Sequence, residues 1–426
     1  MVETPAPELG GAPAPTERKA GRFESLRFPG YRVLWISSTL IFFGIQAQQI
    51  ARGWLAIELS GTNAGLGGVY LAFGLPMLVF GPVGGVIADR FSKRTVLTAC
   101  QSLILVAAVF IAVADAFDFL VYWMLLVSSA VHGAGMAIMA PTRMAFTGEV
   151  VDRKILPNAV VLQQLGINST RVIGPAIAGA LIGIKSIGAG GVYVFTSAII
   201  AGAIVISLFL PNIPPRGRTG AESPISELVD GLRYVRSRRP VLLLITVSTI
   251  VVMVGMTYLA FLPAVADDIF DVGSSGYGVM SAVGAVAAVV ASFWIAGRVH
   301  RTSVWKLQSG CGIALSIGLL LLAVSPTYAI ALAALAFLGG TTSGYQATNS
   351  SLVLTETDLE YHGRVQSLMM TGWAGSGIIA LPLGIVADAI GLRETLFGMG
   401  MICLGAMAWY VLARRRYVER EEALSF

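Results

Sequence analysis

Charge is what this sequence has least of. Only 12% of its 426 residues are Asp, Glu, Lys or Arg, about half the share of a water-soluble domain. So little charge cannot cover a surface facing water, which argues against an ordinary soluble enzyme or binding domain. Histidine is scarce too, with His132, His300 and His362 alone. The thiols are Cys100, Cys311 and Cys403, in or beside apolar runs and at no metal-ligand spacing. No metal cluster, nucleophile–base pair or disulfide framework can be assembled from this stock, and the cysteines read as packing residues. A signal peptide is missing as well. The first thirty residues are rich in Pro, Ala and charge and lack an apolar core, so 1–31 reads as a disordered tail.

What fills the chain instead is apolar: 55% of the residues, with 49 glycines among the rest. Runs of about 20 apolar residues, each able to cross a hydrocarbon core of roughly 30 Å, recur along its length. We count twelve: 33–57, 64–88, 95–114, 119–142, 157–184, 190–210, 241–263, 275–296, 304–324, 328–350, 365–388 and 395–413. The glycines suit such a protein, because membrane helices approach one another through small residues. Pro76, Pro82, Pro175 and Pro382 interrupt several runs, which neighbouring helices can accommodate. The expected fold class is an all-α membrane protein of twelve transmembrane helices.

The bases alternate with the spans. Twenty-five of the 29 fall on one side, before span 1, after each even-numbered span and at the chain end. Arg52, Arg171, Lys185 and Arg393 are the exceptions, and the opposite loops hold Asp115, Asp118, Asp267, Asp268 and Asp271. The positive-inside rule then places both termini in the cytoplasm. One long polar segment, Pro211–Arg239, interrupts the pattern. Within it Ile225–Arg236 reads as an amphipathic helix lying at the membrane surface, with Leu228, Leu232 and Val235 on its apolar face.

Three landmarks recur at one spacing. Arg90 answers Arg298, Glu149 answers Glu356 and Pro175 answers Pro382, at offsets of 207 or 208 residues. Six spans separate the copies, so the halves are like-oriented repeats. The expected organisation is a six-helix bundle over 32–211, a cytoplasmic linker over 212–239, a second bundle over 240–413 and a cytoplasmic tail over 414–426.

The stretch Gly85-Val86-Ile87-Ala88-Asp89-Arg90-Phe91-Ser92-Lys93-Arg94 resembles the signature that joins helices 2 and 3 in the major facilitator superfamily, with Ser92 where glycine is usual. "RGWLAIELSGTNAGLG" (52–67), "MAPTRMAF" (139–146), "LPNAVVLQQ" (156–164), "RVIGPAIAGALI" (171–182) and "GRVQSL" (363–368) extend the resemblance to the enterobactin-exporter-like branch of drug and siderophore efflux proteins. The resemblance implies two pseudo-symmetric six-helix bundles and alternating access. It implies a conformational switch at Gly85, Asp89, Arg90, Arg94 and Arg143. An acid at a helix C-terminus is disfavoured by its own helix dipole, so Asp89 would latch against the N-terminus of span 11, near Arg364–Ser367, or against Arg143. Lys93 and Arg94 are equally well explained as topology-fixing charge. The second repeat has Gly297 in place of Asp89, so this latch exists in one copy. Span 5 partly matches an antiporter-associated motif in Gly174, Pro175 and Gly179, whose kink and small face would let it rock against span 8.

Polar groups at membrane depth are the expected substrate and coupling residues. Gln164, Asn168, Arg171 and Pro175 form one stripe on span 5. His132 is central in span 4, and a packed core histidine and a proton carrier both remain open for it. Span 1 offers Gln48, Gln49 and Arg52, and Glu58 is a possible ion-pair partner for Arg52. Span 10 adds Tyr345, Gln346 and Asn349. No carboxylate falls at the middle of any span, and Ser129, Ala130 and Val131 stand where the superfamily has a span-4 arginine motif. Proton coupling is therefore implied by kinship alone. Two buried cations without a buried acid favour a neutral or anionic cargo.

The expected function is export of an amphipathic, drug- or siderophore-like molecule across a bacterial inner membrane. The expected partners are that small molecule, a proton or ion gradient and the lipid bilayer, with no nucleic acid, cofactor or metal, and the chain acting as a monomer. An importer on the same fold, a non-transporting membrane sensor and a membrane enzyme are the alternatives.

Overall fold

In a computed structural model, residues 23–152, 155–184, 186–214, 224–296, 303–358 and 361–424 are described. Every regular element among them is helical, as lipid demands of a backbone that must satisfy its own hydrogen bonds. The first six spans are α1 (Pro29–Ser60), α2 (Asn63–Arg90), α3 (Lys93–Ala116), α4 (Tyr122–Val150), α5 (Leu156–Ile182) and α6 (Gly188–Ser207). A linker helix, α7 (Pro224–Ser237), follows. Span seven is composite: α8 (Arg239–Ile250), a π turn at Val251–Gly255, α9 (Tyr258–Ala264) and a second π turn at Val265–Ile269. The last five are α10 (Gly273–Ala296), α11 (Val304–Ala323), α12 (Tyr328–Glu356), α13 (His362–Ile390) and α14 (Leu392–Leu424). Twelve of these segments are long and apolar enough to span a membrane, and an even number returns both chain ends to one face. That face is called terminal below, and the opposite one far.

Helix ends follow local chemistry. Gly61 closes α1 with a left-handed φ of 61°, its N–H bonded to the Ile57 carbonyl, a conformation that only glycine adopts without strain. The Thr62 hydroxyl accepts the Gly65 N–H at 3.0 Å and caps α2. Packing then follows the repeat. In the first half α2 and α3 pack on α4, and α3 packs on α6. In the second half α10 and α11 pack on α12, and α11 packs on α14, the same three pairs one repeat later. The repeated glutamates also survive as anchors: Glu149 pairs with Lys93 at 2.8 Å and Glu356 with Arg414 at 2.7 Å.

Three local expectations need correction. Part of the expected N-terminal tail is ordered, since Glu24–Arg27 forms a 3-10 turn and α1 starts at Pro29; Ser25 is fully buried, its N–H bonded to the Asn158 side chain at 3.2 Å. The remainder of that tail, 1–22, lies outside the described residues. At the other end α14 runs to Leu424, through the expected tail. The linker helix splits the stripe expected to form one apolar face at the membrane surface. Leu232 is exposed, whereas Tyr234 and Val235 are buried against the start of α13. The Tyr234 ring stacks on Tyr361 at 4.0 Å and its hydroxyl accepts the Asp358 N–H at 2.9 Å. The side chain of Leu228 lies outside the described residues.

Candidate functional site in the cleft between two bundles

Two helix pairs join the halves, α2 with α13 and α5 with α10. Exchanging the repeats turns one pair into the other, so the joint is itself pseudo-symmetric. Both pairs meet through bare backbone. A methyl group on Gly74 would lie 2.6 Å from the Ala374 carbonyl oxygen and 2.9 Å from the Gly377 Cα. Gly67 abuts Ala380 in the same way, and Gly179 abuts Gly278. Only residues without a side chain permit this approach. A further bond crosses between the halves at a proline. Pro263 has no N–H for the Leu259 carbonyl four residues earlier, and the Tyr70 hydroxyl donates to that oxygen at 3.4 Å.

These joints lie toward the far face, and they do not continue to the terminal face. Gly67, Gly74 and Gly81 lie seven residues apart on one stripe of α2. The first two touch α13, but a methyl on Gly81 would meet nothing within 4 Å, and neither would one on Gly85. On α5 the corresponding change occurs below Gly179. Arg171, about two turns nearer the terminal face and about 80° around the helix from Gly179, is exposed, as is Gln164. Gly174 and Pro175 are buried between them and the seal, with Gly174 resting on Gln46 of α1. The bundles are thus closed on the far side and parted on the terminal side, and the polar stripe of α5 faces the parted region. The side chain of Asn168 lies outside the described residues.

Of the other polar residues expected in the first half, Arg52, His132 and Gln48 are turned into their own bundle, and Gln49 reaches the joint through Tyr70. Arg52 is 7% exposed and His132 3% exposed, and the Arg52 guanidinium donates to His132 Nδ1 at 2.7 Å. A guanidinium can only donate, so Nδ1 must carry a lone pair and the ring is the neutral Nε2–H tautomer. Phe73 packs edge-on against this ring at 6.1 Å. Among the described residues no carboxylate pairs with Arg52. Glu58 does not serve, because six residues of helix turn it about 120° away. Gln48 is buried and donates to the Thr196 hydroxyl at 3.1 Å, while Gln49 donates to the Tyr70 hydroxyl at 3.3 Å. In the second half Asn349 is buried and accepts from Ser248 at 2.6 Å and Gln308 at 3.4 Å. Tyr345 is fully buried and Gln346 lies 3.9 Å from the Met256 sulfur. All of these residues fall inside candidate membrane spans. Of the described ones, Gln164 and Arg171 are those the structure shows exposed on the parted face.

At the terminal face Arg143 stacks over the Phe42 ring at 4.5 Å, and Arg94 donates to the Leu210 carbonyl at 3.3 Å. Arg90 is exposed at the end of α2. Each contact lies within the first half. The side chain of Asp89 lies outside the described residues. Lys93, 5% exposed, is committed to Glu149. One acid at the far seal was missed altogether. Asp388 ends α13 against the start of α2 and accepts three hydrogen bonds there. A signal was available, since Gly384-Ile385-Val386-Ala387-Asp388 repeats the pattern Gly85-Val86-Ile87-Ala88-Asp89.

A path closed at one face and parted at the other, between two bundles joined by thin glycine contacts, defines a carrier of the major facilitator fold. Comparison with known proteins agrees. A bacterial homologue of the human lysosomal transporter Spinster, solved inward-facing and unoccupied, superposes with a TM-score of 0.72 at 18% identity, covering 92% of this chain and 98% of that one. A POT-family peptide transporter reaches 0.73 at 12% identity, covering 91% and 96%. Among characterised relatives, the staphyloferrin A transporter of Staphylococcus aureus is 24% identical over 400 residues, 91% of this chain and 97% of that one. Macrolide efflux protein A of Streptococcus pyogenes is 23% identical over 386 residues, 88% and 94%. The family model described as transmembrane secretion effector matches residues 20–425. The chain belongs to that family and is a transporter of the efflux and secretion type within the major facilitator superfamily.

Proposed function

We propose that this protein exports an amphipathic, neutral or anionic small molecule from the cytoplasm across a bacterial inner membrane, driven by a proton or ion gradient. In this reading the terminal face is cytoplasmic and the structure is the inward-open state. The bodies that rock are 32–211 and 240–413, and the protein works as a monomer without altering its cargo chemically. The base-rich loops support the orientation. The names of the relatives, one moving a siderophore and another a macrolide, support the cargo class.

The observation that carries the proposal is the exposed stripe of Gln164 and Arg171 on α5. A cation retained at membrane depth has a strong reason to be there. With no carboxylate at mid-span to balance it, the cleft attracts anionic or dipolar groups. When the far side opens, Asp89 would hold the terminal side shut, with Arg90, Arg94 and Arg143 ordering the loops around it.

The test is export by inverted membrane vesicles, using labelled staphyloferrin A as the anionic probe and a macrolide as the second. Arg171→Ala is expected to abolish accumulation of the anionic probe at normal protein levels in the membrane. Arg171→Lys retains charge without the planar fork and is expected to restore part of it. Unchanged accumulation in Arg171→Ala would remove this residue from the site, and uptake in intact cells would reverse the direction.

A further inference from the structure

We propose that Asp388 is the latch that holds the far side of the transporter closed, the counterpart on α13 of the latch assigned to Asp89 on α2. Its Oδ1 accepts the Asn63 backbone N–H at 2.8 Å and the Asn63 side-chain amide at 3.0 Å. Its Oδ2 accepts the Ala64 N–H at 2.9 Å. The first N–H groups of a helix have no partner within it, and together they carry partial positive charge. Asp388 therefore both neutralises the N-terminus of α2 and satisfies two of its free donors.

The placement depends on conformation. Asp388 stands near the C-terminus of its own helix, where an acid is disfavoured. The α2 terminus that compensates it belongs to the other bundle. The favourable contact exists while the bundles touch at the far face, and it is lost when they part there. Gly384, one turn earlier, makes the approach possible, because a methyl on it would overlap the Asn63 carbonyl. Gly67 and Gly74 extend the same seam toward mid-membrane.

The pattern Gly-x-x-Ala-Asp ends both α2 and α13, and the two helices run antiparallel across the joint. Each acid thus sits at the C-terminus of one helix, at opposite faces of a single helix pair. The missing acid at Gly297 does not leave the cycle with one latch. The second comes from the partner helix of the pair and not from the repeat copy.

The test is read without cargo, so it stands apart from the role of Arg171. In a cysteine-free background, spin labels are placed at Phe117 and Val324, exposed residues of far-face loops in the two halves. Double electron–electron resonance then reports the far-closed and far-open populations. Asp388→Ala is expected to raise the far-open to far-closed ratio about tenfold, as loss of a charged cap implies. Asp388→Asn, which keeps one acceptor oxygen, should fall between it and the parent and serves if the alanine variant does not fold. Asp267→Ala removes an acid from the same face and should produce no opening. An unchanged ratio in the Asp388 variants, or equal opening in Asp267→Ala, overturns the latch.

Discussion

Arg52 is the residue on which the first bundle makes its most costly arrangement. A buried guanidinium needs acceptors, and among the described residues His132 is the one that serves Arg52. The Nε atoms of both side chains, Arg52 Nε and His132 Nε2, are buried without a partner among the described residues. Replacing the imidazole by Leu removes the acceptor and leaves the cation, at a cost of about 2 kcal/mol. His132→Leu is therefore expected to lower the thermal midpoint of the purified protein, and His132→Gln, whose amide oxygen can accept, to recover most of the loss. Arg52→Met removes the charge itself and should stay within about 1 kcal/mol of the parent. Export assays on that variant then separate packing from coupling: lost export at near-normal stability assigns the pair to the transport step, and retained export assigns it to packing. From the sequence each residue was legible as a costly polar group in lipid. Their partnership was not, because 80 residues separate them and the nearer acid, Glu58, lies on a different face of α1.

The linker helix α7 shows the same division at the scale of an element. Its existence and approximate ends were legible from alternating polar and apolar residues. Its buried face was not, because periodicity reports how apolar a stripe is and not what lies opposite it. Tyr361 and Asp358 lie opposite, and they select an aromatic residue with a hydroxyl, Tyr234, over the leucines. Val229 and Leu232 are left exposed, available to the bilayer surface. Arg238 also reaches Asp358 at 2.9 Å, but both side chains are more than half exposed, and such pairs contribute little. Tyr234→Ala is therefore expected to speed amide exchange across α7 at least tenfold, losing both stacking and a hydrogen bond worth about 1 kcal/mol each. Arg238→Ala should change it less than threefold, in keeping with an exposed pair. Span seven was hidden for a related reason. An apolar run specifies a helix but not its winding, and the π turns at Val251–Gly255 and Val265–Ile269 leave no mark in hydropathy. Pro263, visible in the sequence, becomes informative only when Tyr70 is seen to take up the carbonyl it frees.

At the scale of the molecule, the repeat spacing disclosed the architecture and could not disclose the conformation. Span count follows from the apolar runs, and symmetry from landmarks spaced 207 or 208 residues apart. Which face is closed does not, because an alternating-access carrier uses the same residues in both states. The structure supplies this through its glycines. Gly74 on α2 and Gly179 on α5 stand one in each of the two seams, both too close to the opposing backbone to accept a side chain. If the halves move as rigid bodies, a wedge in either seam must keep the whole far side from closing. Gly74→Val and Gly179→Val are each expected to expose a cysteine at Ser281, just below the Gly278 contact, to a membrane-impermeant maleimide added to intact cells. Each should also stop export while leaving the protein in the membrane. The double variant should label no faster than the faster single one, since both wedges oppose one closure and coupled sites do not add. Additive labelling would mean that the seams open independently, and the rocking of two six-helix bodies would have to give way to local movement of α2 and α5.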